Sequence, residues 1–330
     1  MAYEKAGSDH SSHAELSSSI DKPPHLRGGY TMAQDPVCGM RVDEARAPAT
    51  SQYEGRTVHF CSQGCKIAFD QNPSRWELKL AEGIVGASKA IAAGEPSRSP
   101  DEVVIRAEDL TKTYQRGSEI VEALRGIDLE IHRGEFVTVM GPSGGGKSTL
   151  LHLIGGIDHP SGGEIWVDGT EVSAASEEAL TRFRREKIGF VFQFYNLLPT
   201  LTAAENVELP LVALSYPKKG RRVMAEEILN VVGLGDRLTH KPAELSGGEQ
   251  QRVAIARAIV ANPSLVLADE VTGDLDSTSS EKVLALMEDI NHKLGLTFLI
   301  VTHNPAVGER GRRRLFLKDG RIVRDEVGGA

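Results

Sequence analysis

Nine consecutive residues, GPSGGGKST from Gly141 to Thr149, limit what this chain can fold into more than any other stretch. They fit the pattern G-x-x-x-x-G-K-[ST], with Gly141, Gly146, Lys147 and Ser148 in register. The run before them, FVTVM from Phe136 to Met140, is apolar and β-branched and predicts a buried strand. The run after them, STLLHLIGGI, predicts a helix. Strand, glycine loop and helix in that order form a phosphate cradle. Glycines let backbone N–H groups close around phosphate oxygens where a Cβ would obstruct them, and the helix N-terminus adds partial positive charge. Gly141, Pro142, Ser143, Gly144, Gly145, Gly146, Lys147, Ser148 and Thr149 are therefore expected to hold a nucleotide. Lys147 would reach the β- and γ-phosphates, and the Ser148 hydroxyl would ligate Mg²⁺. The alternative, a glycine-rich turn that binds nothing, fits poorly between a strand and a helix.

A phosphate cradle does not name a reaction. A second run does more: LSGGEQQRVAIARAIV, Leu245 to Val260. With the glycine loop, it resembles the signature of ABC-type ATPases. The resemblance extends over roughly Val103 to Val323, and the motifs come in the family's order. It implies an α/β fold: a P-loop NTPase core with an antiparallel β-subdomain and a helical subdomain.

The bulk numbers agree with a soluble globular chain. The 38 basic and 46 acidic residues leave a net charge of −8, which argues against nucleic-acid binding by bulk electrostatics. A local basic patch at Arg182, Arg184 and Arg185 remains. No apolar run approaches the roughly 18 residues of a membrane span, and no apolar core of a signal peptide stands at the start. A cytoplasmic chain is expected. The three cysteines all fall within the first 65 residues, which suggests thiols or metal ligands rather than a disulfide framework.

Composition divides the 330 residues into four segments: a tail at 1–34, a small cysteine-bearing α+β module at 35–78, a linker at 79–102 and the ATPase at 103–330. The tail is rich in Ser, Gly, His and Pro and reads as disordered, with Met32 an alternative start. Within the module, EGRTVHFC predicts a turn and a strand, and SQGCKIAFDQNP a helix stopping near Pro73. DPVCGM and FCS-x-x-C make the segment resemble the YHS-type domain, a module often found beside heavy-metal transporters. His59 stands where that family has an aromatic residue. Cys38, Cys61 and Cys65 are a candidate site for a thiophilic ion such as Cu(I) or Zn²⁺, with His59 as a fourth donor. Cysteines serving only as small core residues are the competing reading. Lys79 to Arg98 predicts a short helix and then a linker, and AAGEPSRSP marks the boundary.

In the ATPase segment, VVIRAEDLTKTY and Ala123 to His132 predict strands, and Ser176 to Lys187 a basic amphipathic helix capped by Ser176. IGFVFQ predicts a strand ending at Gln193, and SLVLADE a buried strand ending in Asp269 and Glu270. LTFLIVTH ends at His303. The family resemblance implies a role for each. Tyr114 matches the aromatic that stacks on adenine. Gln193 meets Mg²⁺ and the attacking water, Asp269 joins Ser148 in the Mg²⁺ shell, Glu270 polarises the water and His303 touches the γ-phosphate. Ser246, Gly247 and Gly248 serve the ATP of a second subunit, and Asp276 is the key acid of the D-loop. VTGDLDS departs from the family by Val271 for Pro and Asp274 for Asn.

FYNLLPTLTAAENVELPL resembles the branch that powers lipoprotein release and macrolide-type export. Phe194, Tyr195, Leu197 and Leu198 are candidates for contact with a membrane subunit, or for the subdomain's own core. The expectation is an ATP-hydrolysing subunit, with ATP and Mg²⁺, acting as a head-to-tail homodimer on the inner face of the membrane beside a separate permease. No nucleic-acid partner is expected. The other reading is a regulatory ATPase signalling through a permease-like partner, with the cysteine module as metal sensor.

Overall fold

The computed structural model describes residues 32–37, 41–43, 47–53, 56–60, 63–71, 73 and 102–328. The tail before Met32, the expected helix and linker between Lys79 and Pro100, Cys38 and Cys61 lie outside them. In the N-terminal module, β1 (Met32–Gln34) pairs antiparallel with β2 (Arg41–Asp43), and β3 (Ala49–Tyr53) with β4 (Arg56–Phe60). β1 corrects the expectation of a structureless tail running to residue 34. Three residues are too few to show a strand period, and their order comes from pairing with β2. α1 (Gln63–Gln71) packs on the β3–β4 hairpin. Phe69 meets Phe60 at 5.2 Å and Tyr53 edge-on at 5.5 Å. Cys65, one turn before Phe69, shares its buried face.

The second part begins with a long antiparallel hairpin, β5 (Val103–Arg116) and β6 (Glu119–His132). β6 starts at Glu119 rather than Ala123 because the ladder runs to the tip, with Arg116 opposite Glu119. Along β5, Ile105 and Ala107 are buried while Arg106 and Glu108 are exposed, the alternation of a sheet with one covered face. β7 (Phe136–Met140) follows, then the glycine loop and α2 (Lys147–Ile154). β8 (Gly162–Val167) and β9 (Thr170–Glu171) complete a four-stranded sheet of order β6-β5-β8-β9.

α3 (Glu177–Lys187) starts on Ser176, whose Oγ accepts from the Ala179 amide at 3.3 Å. β10 (Ile188–Val191) ends before Gln193, because the chain turns at Phe192, whose carbonyl accepts from the Tyr195 amide. α4 (Ala203–Ala213), α5 (Lys218–Val231) and α6 (Gly247–Ile259) form the helical subdomain. Thr202 and Glu205 make a reciprocal capping box at the start of α4. Fully buried Asn206 accepts from the Leu198 amide and donates to the carbonyls of Leu198, Leu201 and Thr202, which fixes the loop before that helix.

β11 (Leu265–Asp269), α7 (Ser277–Leu294), β12 (Thr297–Thr302), the short α8 (Pro305–Gly308), β13 (Arg313–Lys318) and β14 (Arg321–Val327) finish the chain. The central sheet has the order β10-β11-β12-β7-β13-β14, parallel except for β14. Every residue of TFLIVT is buried, as is all of FVTVM but its last, because both faces of such a sheet are covered. The strand order has one functional consequence. Gln193, Asp269, His303 and Gly141 lie at or just past the carboxyl ends of four neighbouring strands, the edge where open α/β sheets bind ligands.

Candidate active site

The glycine loop is wedged between two strands. A Cβ on Gly141 would stand 1.9 Å from the Leu317 carbonyl oxygen of β13. One on Gly146 would stand 2.5 Å from the Ala123 carbonyl oxygen, and its φ of +100° is itself a glycine conformation. Those two positions admit no other residue without moving backbone. Lys147 opens α2 and curls back over the loop, its Nζ donating to the carbonyls of Gly141 and Pro142 at 2.8 Å each. It is 6% exposed. Burial lowers its pKa, against the nearby negative charges of Glu270 and Asp269.

Asp269 ends β11 beside this lysine. Burial raises its carboxyl above the ordinary range; a hydrogen bond from Ser148 works against the shift and the charge of Glu270 adds to it. Glu270 takes φ +46°, a left-handed conformation uncommon for a non-glycine residue. Its amide donates to Val301 on β12, and its carbonyl accepts from Gly273. The neighbouring acids thereby part company: Asp269 meets Ser148, while Glu270 Oε1 lies 2.7 Å from His303 Nδ1. Gln193, after β10, lays its side-chain amide over Gly273, where a Cβ would stand 2.9 Å from Nε2. Lys147, Ser148, Asp269, Glu270 and His303 are thus brought together by strand order, with Gln193 joined to them through the turn after Glu270.

Tyr114, near the end of β5, donates its hydroxyl to Asp158 Oδ2 at 2.8 Å. Ser246 caps α6 in a reciprocal box with Glu249, whose Oε2 accepts from both the Ser246 amide and hydroxyl at 2.8 Å. The signature glycines are packed: a Cβ on Gly247 would meet the Tyr195 hydroxyl at 3.0 Å, and one on Gly248 would meet Ser279 at 3.2 Å. Asp276 caps α7, accepting from the Ser279 amide at 3.0 Å. Tyr195 and Asn196 both have positive φ, and the Arg257 guanidinium donates to both of their carbonyls. Of the apolar residues in that loop, Phe194 (72%) and Leu198 (47%) are exposed, whereas Leu197 packs against the core.

This geometry sits on a sequence with clear relatives. Residues 124–273 match the ABC transporter family, and residues 33–77 the YHS domain. An uncharacterised ABC transporter ATP-binding protein of Thermotoga maritima is 50% identical over 219 residues, 66% of this chain and 93% of that protein. The chain belongs to the ABC transporter ATP-binding family. The lipoprotein-releasing system ATP-binding protein LolD of Geobacter metallireducens is 49% identical to this cassette over 217 residues, 66% of this chain and 96% of that protein. A solved cassette of Methanocaldococcus jannaschii, dimeric in a post-hydrolysis state with ADP and Pi, is 46% identical with a TM-score of 0.63, covering 68% of this chain and 99% of that one. Membership carries the activity of ATP hydrolysis, with Mg²⁺ as the family's general cation.

The residues at the strand ends suit that cation. Mg²⁺ takes few protein ligands and completes its shell with phosphate oxygens and water. Ser148 and Asp269 already touch, and a cation beside them would favour the charged form of Asp269 against the burial, and the lesser Glu270 charge, that raise it. In the N-terminal module, Cys65 is the one of the three candidate cysteines that falls among the described residues. Cys65 is 1% exposed within the apolar core, and the His59 Nδ1 atom is buried with no hydrogen-bond partner. Among the described residues, no three His, Cys, Asp or Glu side chains gather as a metal site. No described helix is long and apolar enough to cross a membrane.

Sequence reading missed several residues that shape the site. Asp158 belongs to no motif, and Asn206 and Arg257 lie inside the runs FYNLLPTLTAAENVELPL and LSGGEQQRVAIARAIV without a role read for either. Asp158 and Arg257 act on partners far away in sequence, and Asn206 on the loop just before its helix. Only Asn206 left a trace, a polar residue inside an apolar helical run.

Proposed function

We propose that this cassette powers a transporter through a separate membrane permease, as a head-to-tail homodimer that closes on ATP and reopens after hydrolysis. The alignment of Gln193, Asp269, Glu270, His303 and the glycine loop on neighbouring strand ends carries this reading. The signature Ser246 stands at the head of a helix in the other subdomain, which suits service to a second copy's nucleotide. The dimeric state of the Methanocaldococcus relative supports it.

In this reading Lys147 reaches the β- and γ-phosphates, and Tyr114 stacks on adenine. Mg²⁺, when bound, neutralises phosphate charge from a site made by Ser148, Asp269 and Gln193. Glu270 accepts the proton of the attacking water or holds that water in line, and His303 holds Glu270 and the γ-phosphate. Gly247, Gly248 and Asp276 belong to the seam between copies.

The segments at 35–78 and 103–330 act as separate modules, with 79–102 between them. The first binds a thiophilic ion through Cys38, Cys61 and Cys65, with His59 as a further donor. The cassette works at the inner face of the membrane, held there by the permease. Exposed Phe194 and Leu198 suit that contact, as does a nearby cleft of about 300 Å³ whose lining includes Arg184, Phe190 and Arg257. The name of the lipoprotein-releasing relative suggests lipid-linked cargo.

Affinity capture from membranes of the native host tests the permease reading. Tagged wild-type chain should retain an integral membrane protein, and Phe194→Glu should lose it. Wild-type capture free of any membrane protein would overturn the transport reading and leave the ATPase intact.

A further inference from the structure

Asp158 lies four residues beyond the end of α2, the helix that the glycine loop opens. Its carboxylate ties that end of the helix to the end of β5. Oδ2 accepts from the Tyr114 hydroxyl at 2.8 Å, and Oδ1 accepts from Lys112 Nζ at 2.7 Å and from the His159 amide at 2.8 Å. Lys112 also donates to the His159 carbonyl at 2.6 Å. Lys112 and Tyr114 are two apart on one strand and so project from the same face. The Lys112 ammonium stands 4.8 Å from the Tyr114 ring centroid, over the ring. The same loop is seated again by Ser161, whose amide donates to Thr111 and whose hydroxyl accepts from the Thr113 amide.

We propose that Asp158 and Lys112 are positioning residues that clamp Tyr114 as the platform for the adenine base; this rests on the reading of Tyr114 as the adenine-stacking residue. The hydroxyl tether fixes the plane of the ring, and the ammonium covers one face, which leaves the opposite face for the base. α2 sets the spacing. Its eight residues span about 12 Å, and they join the loop that holds the phosphates to the carboxylate that holds the ring. Tyr114 keeps its proton, since burial and Asp158 both raise its pKa. Burial opposes the Asp158 charge, but the bonds from Lys112 and Tyr114 hold its carboxyl below the ordinary range. Donor and acceptor therefore keep their roles across neutral pH.

A base platform acts on ligands that carry a base, and this separates it from a structural tie. Calorimetric titration of the full chain with MgATP and with magnesium tripolyphosphate compares wild type with Tyr114→Phe, Asp158→Ala, Asp158→Asn and Tyr114→Ala. Freeing one ring that binding must then reorder should raise the Kd for ATP about three- to tenfold in Tyr114→Phe and Asp158→Ala. Tripolyphosphate affinity should hold in both. Tyr114→Phe deletes a single oxygen and keeps the test open if Asp158→Ala fails to fold. Unchanged ATP affinity in Asp158→Ala and Tyr114→Phe, with weakened ATP binding in Tyr114→Ala, would overturn the clamp and leave the platform. Unchanged ATP affinity in Tyr114→Ala would overturn both. Equal loss for the two ligands would make Asp158 a structural tie only.

Discussion

Glu270 Oε1 and His303 Nδ1 lie 2.7 Å apart although 33 positions separate them in sequence. The backbone sets this pair. β11 and β12 are parallel neighbours with Asp269 opposite Val301, and the Glu270 amide bonds the Val301 carbonyl. Each side chain follows directly or almost directly from its strand end, and the left-handed turn at Glu270 aims its carboxylate toward the histidine rather than toward Ser148. Such strain persists where the surroundings over-determine it, and it is common at active sites.

Replacing Glu270 by Gln keeps the size and one hydrogen bond but removes the charge and the basicity. Loss of a general base costs about 10²–10⁴ in rate, roughly 3–5 kcal/mol of barrier. Glu270→Gln should bind ATP, hydrolyse it very slowly and accumulate as a closed dimer on size-exclusion chromatography with ATP and Mg²⁺. Adding Ser246→Arg should abolish that dimer, since a bulky cation would stand at the seam. A Glu270→Gln variant that binds ATP yet stays monomeric would overturn the shared-site mechanism.

Lys147 donates to two loop carbonyls, and in the proposed mechanism it turns to the β- and γ-phosphates. Lys147→Ala should lose most ATP affinity and hydrolysis. Removal of this buried cation also relieves the pull it exerts on Asp269. Hydrolysis at the wild-type rate in the purified variant would sink the assignment of the loop.

The cysteine module gives a sharper test than its sequence alone. Cys65 is buried on the Phe69 face of α1, so it either packs or reaches a metal from inside the core. Titration of the full chain with Zn²⁺ or Cu(I) should show one thiol-dependent equivalent. That equivalent should vanish when Cys38, Cys61 and Cys65 are all replaced by Ser. Equal stoichiometry in both proteins would make the cysteines packing residues.

Much of this architecture could be read from the chain. FVTVM, SLVLADE and LTFLIVTH are uniform apolar runs because a parallel sheet buries both faces, and each is followed directly by residues that carry chemistry. Their adjacency could not be read, because the order β10-β11-β12-β7 is a property of crossovers rather than of any one strand. β6 begins, and β10 ends, a few residues earlier than local pattern predicts, because ladder pairing and a turn at Phe192 override it. The clamp on Tyr114 was invisible for a related reason: Asp158 is 44 positions away, in a loop that has no period.

The partners of Asp168 were as hard to read: GGEIWVDGTEV predicts the hairpin of β8 and β9, with Asp168 in its turn, but nothing in that run marks what the carboxylate binds. Its side chain is 4% exposed and collects Arg133 Nη2, Lys187 Nζ and Ser264 Oγ, each at 2.6 Å. Those partners come from the turn before β7, the end of α3 and the start of β11, so one carboxylate ties both sheets to a helix. Burial pushes the carboxyl up, but hydrogen bonds from Lys187 and Ser264, the Lys187 charge and a bond from Arg133 together bring it down to about 2 from 3.8. A depressed folded-state pKa means that the unfolded chain binds the proton first. The stabilisation is therefore complete above pH 3.8 and is lost as pH falls from there toward 2. Its size is on the order of 2 kcal/mol. Asp168→Asn removes the charge while leaving Arg133 and Lys187 half-buried, so it should destabilise the fold at pH 7 by roughly 2 kcal/mol or more. Urea midpoints measured between pH 7 and pH 2.5 check both parts. Wild type should lose more stability than the variant below pH 4, so the two curves should converge in acid. Parallel curves across that range would show that Asp168 does not titrate as its surroundings require.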